Sequence, residues 1–382
     1  MENVEKIPVV IILHAYQPIT QDKEILERII NNCYSPFFRK LIENEDVKIT
    51  LNISGCLLEK LSIEYPEIIR LVEQGILNNQ IELMGSAFYH PILPLISDED
   101  MQYQIQKQTN TISGLFNLKP KIFFPPELAI SHNVVEQAEK NNFDIIISPS
   151  NSNNLTYGGI YEIDEEKNIF ILKRDKEISN KIAFDEFKRD ITQTVGAIRK
   201  EYSQFNLPIV LAMDLETFGE HHGDYYNFFF NLTKNLQSMF VSSMVEDYNI
   251  STKVNLFTPS SWSTSNQDLK DKIYYPLWDH PLNGVHQLQQ THIQLLEEVK
   301  KQIPAGDWLD DYHAAHYSCQ FWWATEIWWA PELIQTGLIF QRMTLENMCK
   351  SLPESTKQMI FNLSENILQR IDQLLTNKRL NK

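Results

Sequence analysis

The stretch "PIVLAMDLETFGEHHGD", from Pro208 to Asp224, joins a short apolar run to a dense group of ionisable side chains. Its largely apolar part ends at Asp214, and the next ten residues contain three more carboxylates and two adjacent histidines. A short apolar run with such flanks is typical of a buried strand. We therefore expect a buried strand whose carboxyl end carries reactive side chains.

Similar short runs, rich in β-branched and aromatic residues, recur through the first two thirds of the chain. Between several of them lie stretches with helical spacing, such as those that begin at Asp98 and Ser131. Alternation of strands and helices predicts a parallel sheet or barrel covered by helices. Besides "PIVLAM", the runs are "IPVVIIL", "KITLNIS", "QIELMG", "KIFFP", "DIIIS" and "IFIL".

After about Pro281 the pattern changes, because strand-like runs disappear. Three long stretches there have helical spacing: "GVHQLQQTHIQLLEEVKKQI", "DDYHAAHYSCQFWWATEIWW" and "PESTKQMIFNLSENILQRIDQLL". We therefore predict an α/β barrel domain over residues 1–280 and a helical region over residues 281–382.

Composition limits the classes of partner. A chain of 382 residues, 43% of them hydrophobic, can bury a large core. The formal charge of −16, from 50 acidic and 34 basic residues, opposes the electrostatic footprint of a protein that binds nucleic acid or an anionic membrane. We expect neither partner, and a neutral or cationic ligand fits better.

The cysteines and the amino terminus bear on the cellular compartment. Cys33, Cys56, Cys319 and Cys349 lack CxxC spacing, so the pattern indicates neither a zinc site nor a disulfide framework. The chain begins with acidic residues and a short apolar run, unlike a secretion signal, and no run approaches the roughly 18 apolar residues of a membrane span. We expect reduced thiols and a cytoplasmic protein.

Polar side chains lie within or just beyond the carboxyl-terminal parts of four of the predicted strands. In parallel α/β architectures the carboxyl ends of the strands open onto one face, and reactive residues gather there. The strand ends would therefore deliver carboxylates and histidines to the same mouth. These side chains are His14 and Gln17, Glu82 and His90, Glu127, and Asp214 with Glu216.

Each of these residues, taken alone, has a structural alternative. His14 would serve equally as a hydrogen-bonded histidine on the barrel rim. Glu127 would serve as a cap for the next helix, since carboxylates near a helix amino terminus interact favourably with the dipole. Asp214 and Glu216 alternate at a strand end, and one of them would serve only to orient the side chain of the other. Taken together, four such strand ends favour a functional site.

Two carboxylates from different strands that face one pocket are the minimum equipment for glycoside hydrolysis. One attacks or stabilises the anomeric carbon, and the other protonates the leaving oxygen. Their environments must differ, because a carboxyl near aromatic rings resists ionisation and one bound by donors stays charged. The flanking residues offer both settings: Phe123 and Phe124 near Glu127, and Phe218, His221 and His222 near Asp214.

Tryptophan usage is consistent with a sugar ligand, because flat aromatic faces suit the apolar faces of sugar rings. Core packing is the alternative for about half of these rings. Trp322 and Trp323 cannot both face inward on one helix, so one ring of such a pair should line a surface, pocket or interface. Five of the seven tryptophans lie in the helical region: Trp308, Trp322, Trp323, Trp328 and Trp329.

Four motifs, "HAYQP" from His14, "NNQIELMGSAFYHPILP" from Asn78, "FFPPELA" and "MDLETFGEHH", succeed one another along the chain. In this order they resemble four of the five signature regions of glycoside hydrolase family 57. The resemblance places Glu82 at the glutamate of the second region. It makes Glu127 the nucleophile that ends the third region, and Asp214 the acid/base of the fourth.

The fifth signature region is the least similar. It corresponds best to "HYSCQFWWATEIWW" from His316, where Cys319 and Gln320 replace the Asp-His pair typical of amylase-like members. Between barrel and helices, "YYPLWDHPLNGVH" carries Trp278 and His286, and two interpretations remain open for these residues. They contact sugar hydroxyls, or they only dock the two regions.

The resemblance implies an incomplete (β/α)7-type barrel followed by a C-terminal helical region. It also implies a retaining glycosidase or transglycosylase that acts on α-glucans by double displacement, with an oligo- or polysaccharide as partner. No metal or other cofactor is expected, and the linkage, the acceptor and the oligomeric state stay open. The implied substrate contacts are His14, Gln17, Glu82, His90, Glu216, His221, His222, Trp278, His286 and Trp323.

Two other functions compete with this one. A metal-dependent carbohydrate deacetylase on a related barrel would use Asp214 with His14 and His90, or with His221 and His222, to hold a cation. Adjacent histidines on a strand point to opposite faces, however, and no HxxxH pair accompanies an aspartate. The other alternative is a glycan-binding relative without turnover, against which the intact Glu127 and Asp214 argue.

Overall fold

The computed structural model describes residues 6–149, 158–164, 167–248, 253–254 and 258–380. The chain forms two compact units, which we call the barrel unit and the helical unit. The last segment of the helical unit begins at Ser263, so the division falls earlier than the boundary predicted after residue 280. The barrel unit comprises Met1–Gln17, Gln21–Phe88 and Ile96–Trp262, and the helical unit comprises Pro18–Thr20, Tyr89–Leu95 and Ser263–Lys382.

The described strands all lie in the barrel unit and are short, as expected for buried strands. In chain order they are β1 (Ile7–Ala15), β2 (Ile49–Ile53), β3 (Ile81–Leu83), β4 (Ile122–Phe123), β5 (Ile145–Ser148), β6 (Gly158–Asp164), β7 (Lys167–Lys173), β8 (Ile209–Asp214), β9 (Leu236–Met239) and β10 (Lys253–Val254).

Helices alternate with these strands through the barrel unit and make up the helical unit. In the barrel unit they are α1 (Lys23–Ile29), α2 (Ser35–Glu43), α3 (Gly55–Glu64), α4 (Pro66–Leu77), α5 (Asp98–Phe116), α6 (His132–Lys140), α7 (Lys176–Ala183), α8 (Ile191–Phe205), α9 (Tyr225–Thr233) and α10 (Val241–Asp247). In the helical unit they are α11 (Asn266–Lys270), α12 (Gly284–Lys300), α13 (Leu309–Ala314), α14 (Cys319–Trp322), α15 (Pro331–Met348) and α16 (Glu354–Leu380).

Seven of the described strands form a closed parallel ring. Strands pair in parallel in the order β8-β1-β2-β3 and in the order β4-β5-β7. A parallel bridge between Gly85 and Phe123 joins the two series at one side. At the other side the main-chain N–H of Asp175, just after β7, donates to the carbonyl of Val210 in β8 over 2.7 Å. The predicted (β/α)7 barrel is therefore confirmed, with β6 antiparallel to β7 outside the ring.

Side-chain alternation along the strands separates an inner from an outer core. In β1, Val10 and Ile12 pack in the inner cluster with residues of the other ring strands, whereas Val9 and Ile11 pack against the surrounding helices. Since the period of a strand is two, His14 shares the inner face of Val10 and Ile12. The strands are buried on both faces, which explains their continuous apolar sequences.

The helical unit has a core of its own. Helix α12 packs against α15 and α16. Val285, Tyr317, Trp323 and Ile371 belong to the buried cluster of this unit. The predicted C-terminal helical region is therefore confirmed. Within the described part of the chain, no helix combines the length and the apolarity needed to cross a membrane.

Glu82 joins the barrel wall to helix α10. It lies in β3 in register with Thr50, which is itself in register with Ile12, two positions before His14. Its carboxylate accepts hydrogen bonds from the hydroxyl and the main-chain N–H of Ser242 and from the hydroxyl of Thr50. Glu82 therefore holds α10 inside the barrel, below the level of the strand ends.

Replacement of Ser242 by alanine should destabilise the fold, because it removes a donor from a largely buried carboxylate. We expect the free energy of unfolding to fall by about 1–3 kcal/mol, measured by urea denaturation. Ser203→Ala, at an exposed position of α8, is the matched control and should change it by about 0.5 kcal/mol or less. Equal stability of the two variants would contradict the proposed link between Glu82 and α10.

Candidate active site

The turn after β4 holds Glu127 in an unusual backbone conformation. Glu127 has φ 58° and ψ 18°, and Leu128 has φ 47°. Residues other than glycine rarely adopt this left-handed backbone conformation, and each residue that does so lowers the stability of the fold by about 1–3 kcal/mol. The main-chain N–H of Trp262 donates to the carbonyl of Glu127 over 3.1 Å, and that of Leu128 to Pro125 over 2.8 Å. Strain of this kind persists only where the surroundings impose it, and it clusters at functional sites.

The carboxylate of Glu127 is half-buried and is bound by Trp262. The indole Nε1–H donates to Oε2 over 2.8 Å. Burial, followed by the negative charge of Asp214, raises the pKa of Glu127 to about 8. The indole bond acts in the opposite direction, because it stabilises the ionised carboxylate.

Asp214 ends β8 on the inner face of the barrel, in register with His14. Burial raises the pKa of Asp214 to about 6, and the charge of Arg174 opposes this shift. Arg174 lies just after β7 and is only 4% exposed, and its Nη1 donates to the carbonyl of Ala212 over 3.1 Å. Since each of the carboxylates of Glu127 and Asp214 disfavours ionisation of the other, the pair retains one proton near neutral pH.

Glu216, in the 3₁₀ turn Leu215–Phe218, is the most deeply buried carboxylate of the site, at 5% exposure. Its Oε1 accepts hydrogen bonds from the amide of Gln17 over 2.9 Å, from the main-chain N–H of Tyr16 over 3.2 Å and from the hydroxyl of Tyr34. Burial, followed by the charge of Asp214, raises the pKa of Glu216 to about 7 despite these donors. The amide of Gln17 is therefore engaged with Glu216.

Tyr34 lies beside Glu216 at the end of a π-helical turn, Ile30–Tyr34, which continues helix α1. This turn packs directly on the backbone of Gly219, where a Cβ atom would lie 2.2 Å from the carbonyl oxygen of Asn32. Only glycine permits such an approach of two backbones. Turns of the π type are frequent at functional sites, and here one holds the segment just after Asp214.

His14 contributes a neutral polar ring. Its Nδ1 is hydrogen-bonded to Oδ1 of Asn52 over 2.7 Å, and the ring stacks on Phe124 with centroids 4.9 Å apart. Burial lowers the pKa of His14 to about 4. The imidazole is therefore uncharged at neutral pH and adds no positive charge to the carboxylates.

Five of the expected site residues lie together at the carboxyl ends of the barrel strands. Glu82 lies on the same inner face but lower, bound to Ser242. His221 is exposed, and His222 is hydrogen-bonded through Nε2 to the carbonyl of Ala183 over 2.9 Å. Sugar contacts by these three residues stay predictions. The five are His14, Gln17, Glu127, Asp214 and Glu216.

The other four expected contacts belong to the helical unit and are buried within it. His90 has φ 59°, and its Nδ1 is hydrogen-bonded to the hydroxyl of Ser318 over 2.8 Å. His286 is hydrogen-bonded through Nε2 to the carbonyl of Phe321 over 2.9 Å. Their contacts with a sugar stay a prediction, as do those of Trp278 and Trp323, which are 1% and 7% exposed.

Several residues of the site were not singled out from the sequence. Arg174 comes just after the run "IFIL", so the rule that polar residues end parallel strands would have found it. Trp262 lies in a serine- and threonine-rich loop, and Tyr34 depends on the π-helical turn; neither has a local sequence signal. Asn52 lies near the end of its strand as His14 does, but its amide gave no reason to select it.

A cation site would need several ligands from one neighbourhood. Among the described residues, no three His, Cys, Asp or Glu side chains are close enough together to hold a metal ion. Of the ligands considered for a deacetylase, His14 belongs to the barrel unit and is hydrogen-bonded to Asn52. His90 belongs to the helical unit and is hydrogen-bonded to Ser318 of the same unit.

Known structures share this fold. The 4-alpha-glucanotransferase from Thermococcus litoralis superposes with a TM-score of 0.72 at 18% identity, over 89% of this chain and 60% of that one. The exo-type maltose-forming amylase from Pyrococcus sp. ST04 superposes with a TM-score of 0.73 at 14% identity, over 98% of this chain and 85% of that one. At these identities the likeness concerns the fold.

Sequence comparison identifies the family. The alpha-amylase of Pyrococcus horikoshii is 37% identical over 94 residues, which are 25% of this chain and 15% of that protein. The chain spans less than half the length of the curated relatives that it matches. The sequence profile of glycosyl hydrolase family 57 matches residues 5–264, well over half of the chain. This chain therefore belongs to glycosyl hydrolase family 57.

Proposed function

We infer that the protein is a retaining glycoside hydrolase or transglycosylase that acts on α-glucans. The observation that carries this proposal is the pair of electrostatically coupled carboxyls, Glu127 and Asp214, at the ends of two barrel strands. One proton shared by two carboxyls supplies both an anion and an acid, which is what double displacement at an anomeric carbon requires. The strained backbone of Glu127 adds support, since it holds that carboxylate in one orientation.

In the first displacement, Glu127 attacks the anomeric carbon and forms a glycosyl ester. The glycosidic C–O bond breaks, and Asp214 gives its proton to the departing oxygen. Negative charge thus passes from Glu127 to Asp214. The productive form has the proton on Asp214 and an ionised Glu127. The higher pKa of Glu127 favours the opposite placement of the proton, and the hydrogen bond from the Trp262 indole counteracts that preference because it stabilises the ionised Glu127.

In the second displacement, Asp214 takes a proton from water or from an acceptor sugar. The oxygen so activated attacks the anomeric carbon, and Glu127 leaves as a carboxylate. Two inversions give net retention of configuration. Transfer to a sugar instead of water makes the same site a transglycosylase, so the chemistry leaves both products open.

The substrate class rests on the relatives. Those matched in sequence are named alpha-amylase and 4-alpha-glucanotransferase, and the solved structures with this fold include a glucanotransferase, a branching enzyme and amylases. An oligo- or polysaccharide of α-linked glucose is therefore the proposed substrate. We also assign the protein to the cytoplasm, in keeping with four cysteines that form no disulfide.

The decisive experiment is an assay on maltooligosaccharides, branched α-glucans and aryl α-glucosides, with a chelator present. We expect product release or chain redistribution with the wild type, and a loss of about a thousandfold or more in Glu127→Ala and Asp214→Ala. Glu136→Ala, an acidic position on α6, is the control and should keep full activity. The anomeric configuration of the first product, read by NMR, should be that of the substrate.

Each other outcome of this assay points to another function. Inverted product, or activity that survives in Glu127→Ala, would overturn the double displacement. Activity on acetylated sugars that the chelator abolishes would indicate a metal-dependent deacetylase. Tight saccharide binding without any turnover would indicate a binding protein.

The pH dependence of kcat/KM should be bell-shaped, because the productive site carries one proton on its carboxyl pair. Activity should rise through a pKa of about 6 and fall through a pKa of about 8, the values to which burial raises those of Asp214 and Glu127. Below the first value both carboxyls are protonated and no nucleophile remains; above the second, no acid remains. A profile that stays flat from pH 5 to about 9 would contradict a shared proton.

Gly219→Ala should impair the site without touching either carboxyl. The added Cβ would meet the carbonyl of Asn32 in the π-helical turn, and the shift would displace Tyr34 from Glu216. We expect kcat/KM to fall by about tenfold or more. Gly223→Ala is the control, because a Cβ there meets no atom within 4 Å; an equal effect of the two variants would show that this backbone contact does not matter.

A further inference from the structure

Arg174 is connected to each of the two proposed catalytic carboxyls through one intermediate residue. Its guanidinium lies over the indole of Trp262, with its central carbon 5.5 Å from the ring centroid. The same indole donates its N–H to Glu127. On the other side, Nη1 donates to the carbonyl of Ala212, two residues before Asp214 on the inner face of β8.

The arginine is costly to bury, which calls for an explanation. Its Nη2 donates to the side chain of Asn180, and its own main-chain N–H donates to the carbonyl of Ser148 over 3.1 Å. Nε has no hydrogen-bond partner within the described part of the chain. The two carbonyl-type acceptors already fix the orientation of the planar guanidinium. A purely structural role at this position would therefore need few of its five N–H groups.

We propose that Arg174 is a positioning residue which stabilises negative charge on Asp214 in the first displacement and holds the Trp262 indole against Glu127. This inference rests on the proposed function. When Asp214 gives up its proton, the new anion forms beside a fixed, buried cation, where electrostatic stabilisation is larger than in water. The cation–π contact between Arg174 and Trp262 holds the indole in the position from which its N–H donates to Glu127.

Trp262 and Arg174 therefore favour charge at opposite ends of the pair. The indole N–H stabilises Glu127 as an anion, which favours the state before attack and the departure of Glu127 in the second displacement. Arg174 stabilises Asp214 as an anion, which favours proton donation in the first. The other charged groups that act with Asp214 are Glu127 and Glu216. His14 is neutral at neutral pH, and the negative charge of Asp175 acts on Arg174.

The test compares leaving groups in the intact enzyme. A maltooligosaccharide needs a proton on its departing alcohol, whereas a dinitrophenyl α-glucoside departs without one. For Arg174→Met we expect kcat/KM on the maltooligosaccharide to fall by about tenfold or more beyond any loss on the aryl glucoside. Trp262→Phe should lower kcat/KM on both substrates to a similar extent, because it acts on the nucleophile.

The pH profile supplies a second readout that a merely structural arginine would not move. Loss of the cation raises the pKa of Asp214, so the acid limb of kcat/KM, which lies near the Asp214 pKa of about 6, should move to higher pH in Arg174→Met. Arg174→Lys keeps the charge and should retain the leaving-group dependence and the acid limb of the wild type, even if Arg174→Met fails to fold. Arg39→Met, at an exposed position of α2, is the control for loss of an arginine.

Failure of this inference is distinguishable from failure of the proposed function. If the wild type is active and Glu127→Ala is silent, the function stands. Equal losses on both substrates in Arg174→Met with an unmoved acid limb, or a wild-type profile in that variant, would then overturn the role of Arg174 alone. A changed leaving-group dependence in Arg174→Lys would overturn it as well. An inactive wild type, or an active Glu127→Ala, would instead remove the function on which it rests.

Discussion

The burial of three carboxyl groups at one end of the barrel is the constraint on which the rest of the site depends. Glu127, Asp214 and Glu216 all have raised pKa values because burial penalises their charged forms. The surrounding groups limit this penalty without removing it. Tyr34 and Gln17 donate to Glu216, and the remaining two carboxyls have an indole N–H and a buried guanidinium for neighbours. The balance leaves protons on the cluster at neutral pH, and a cluster that holds protons there can donate them.

Backbone geometry matters as much as charge at this site. Glu127 lies in a left-handed turn fixed by two hydrogen bonds from a single residue, Trp262, one to its carbonyl and one to its carboxylate. Glycine would relieve the strain of that turn but would remove the carboxyl. The close approach at Gly219 is the converse case, since there the backbone contact excludes any side chain. The backbone conformation of Glu127 therefore lowers stability, and the close contact at Gly219 restricts that position to glycine. Both features fix short turns beside the site.

Much of this arrangement was predictable from sequence, and the misses share a physical cause. Strand periodicity and the meeting of parallel strand ends predict the barrel and the grouping of His14, Glu127, Asp214 and Glu216, because both rules are local or derive from topology. Trp262 escapes such rules, since it reaches Glu127 from a loop 135 residues away along the chain. Glu82 has the right strand and the right face, but its depth depends on register with Thr50 and on α10.

In the proposed cycle each of the two reacting carboxyls must be charged once and neutral once. A site that strongly favoured one protonation pattern would accelerate one displacement and retard the other by a similar factor. Trp262 and Arg174 act on opposite sides of this balance, since the indole N–H favours the Glu127 anion and the guanidinium favours the Asp214 anion. Such a balance does not depend on whether water or sugar accepts the glycosyl group. Selection between hydrolysis and transfer must then come from groups that bind the acceptor, and the charge balance of this pair leaves that choice free.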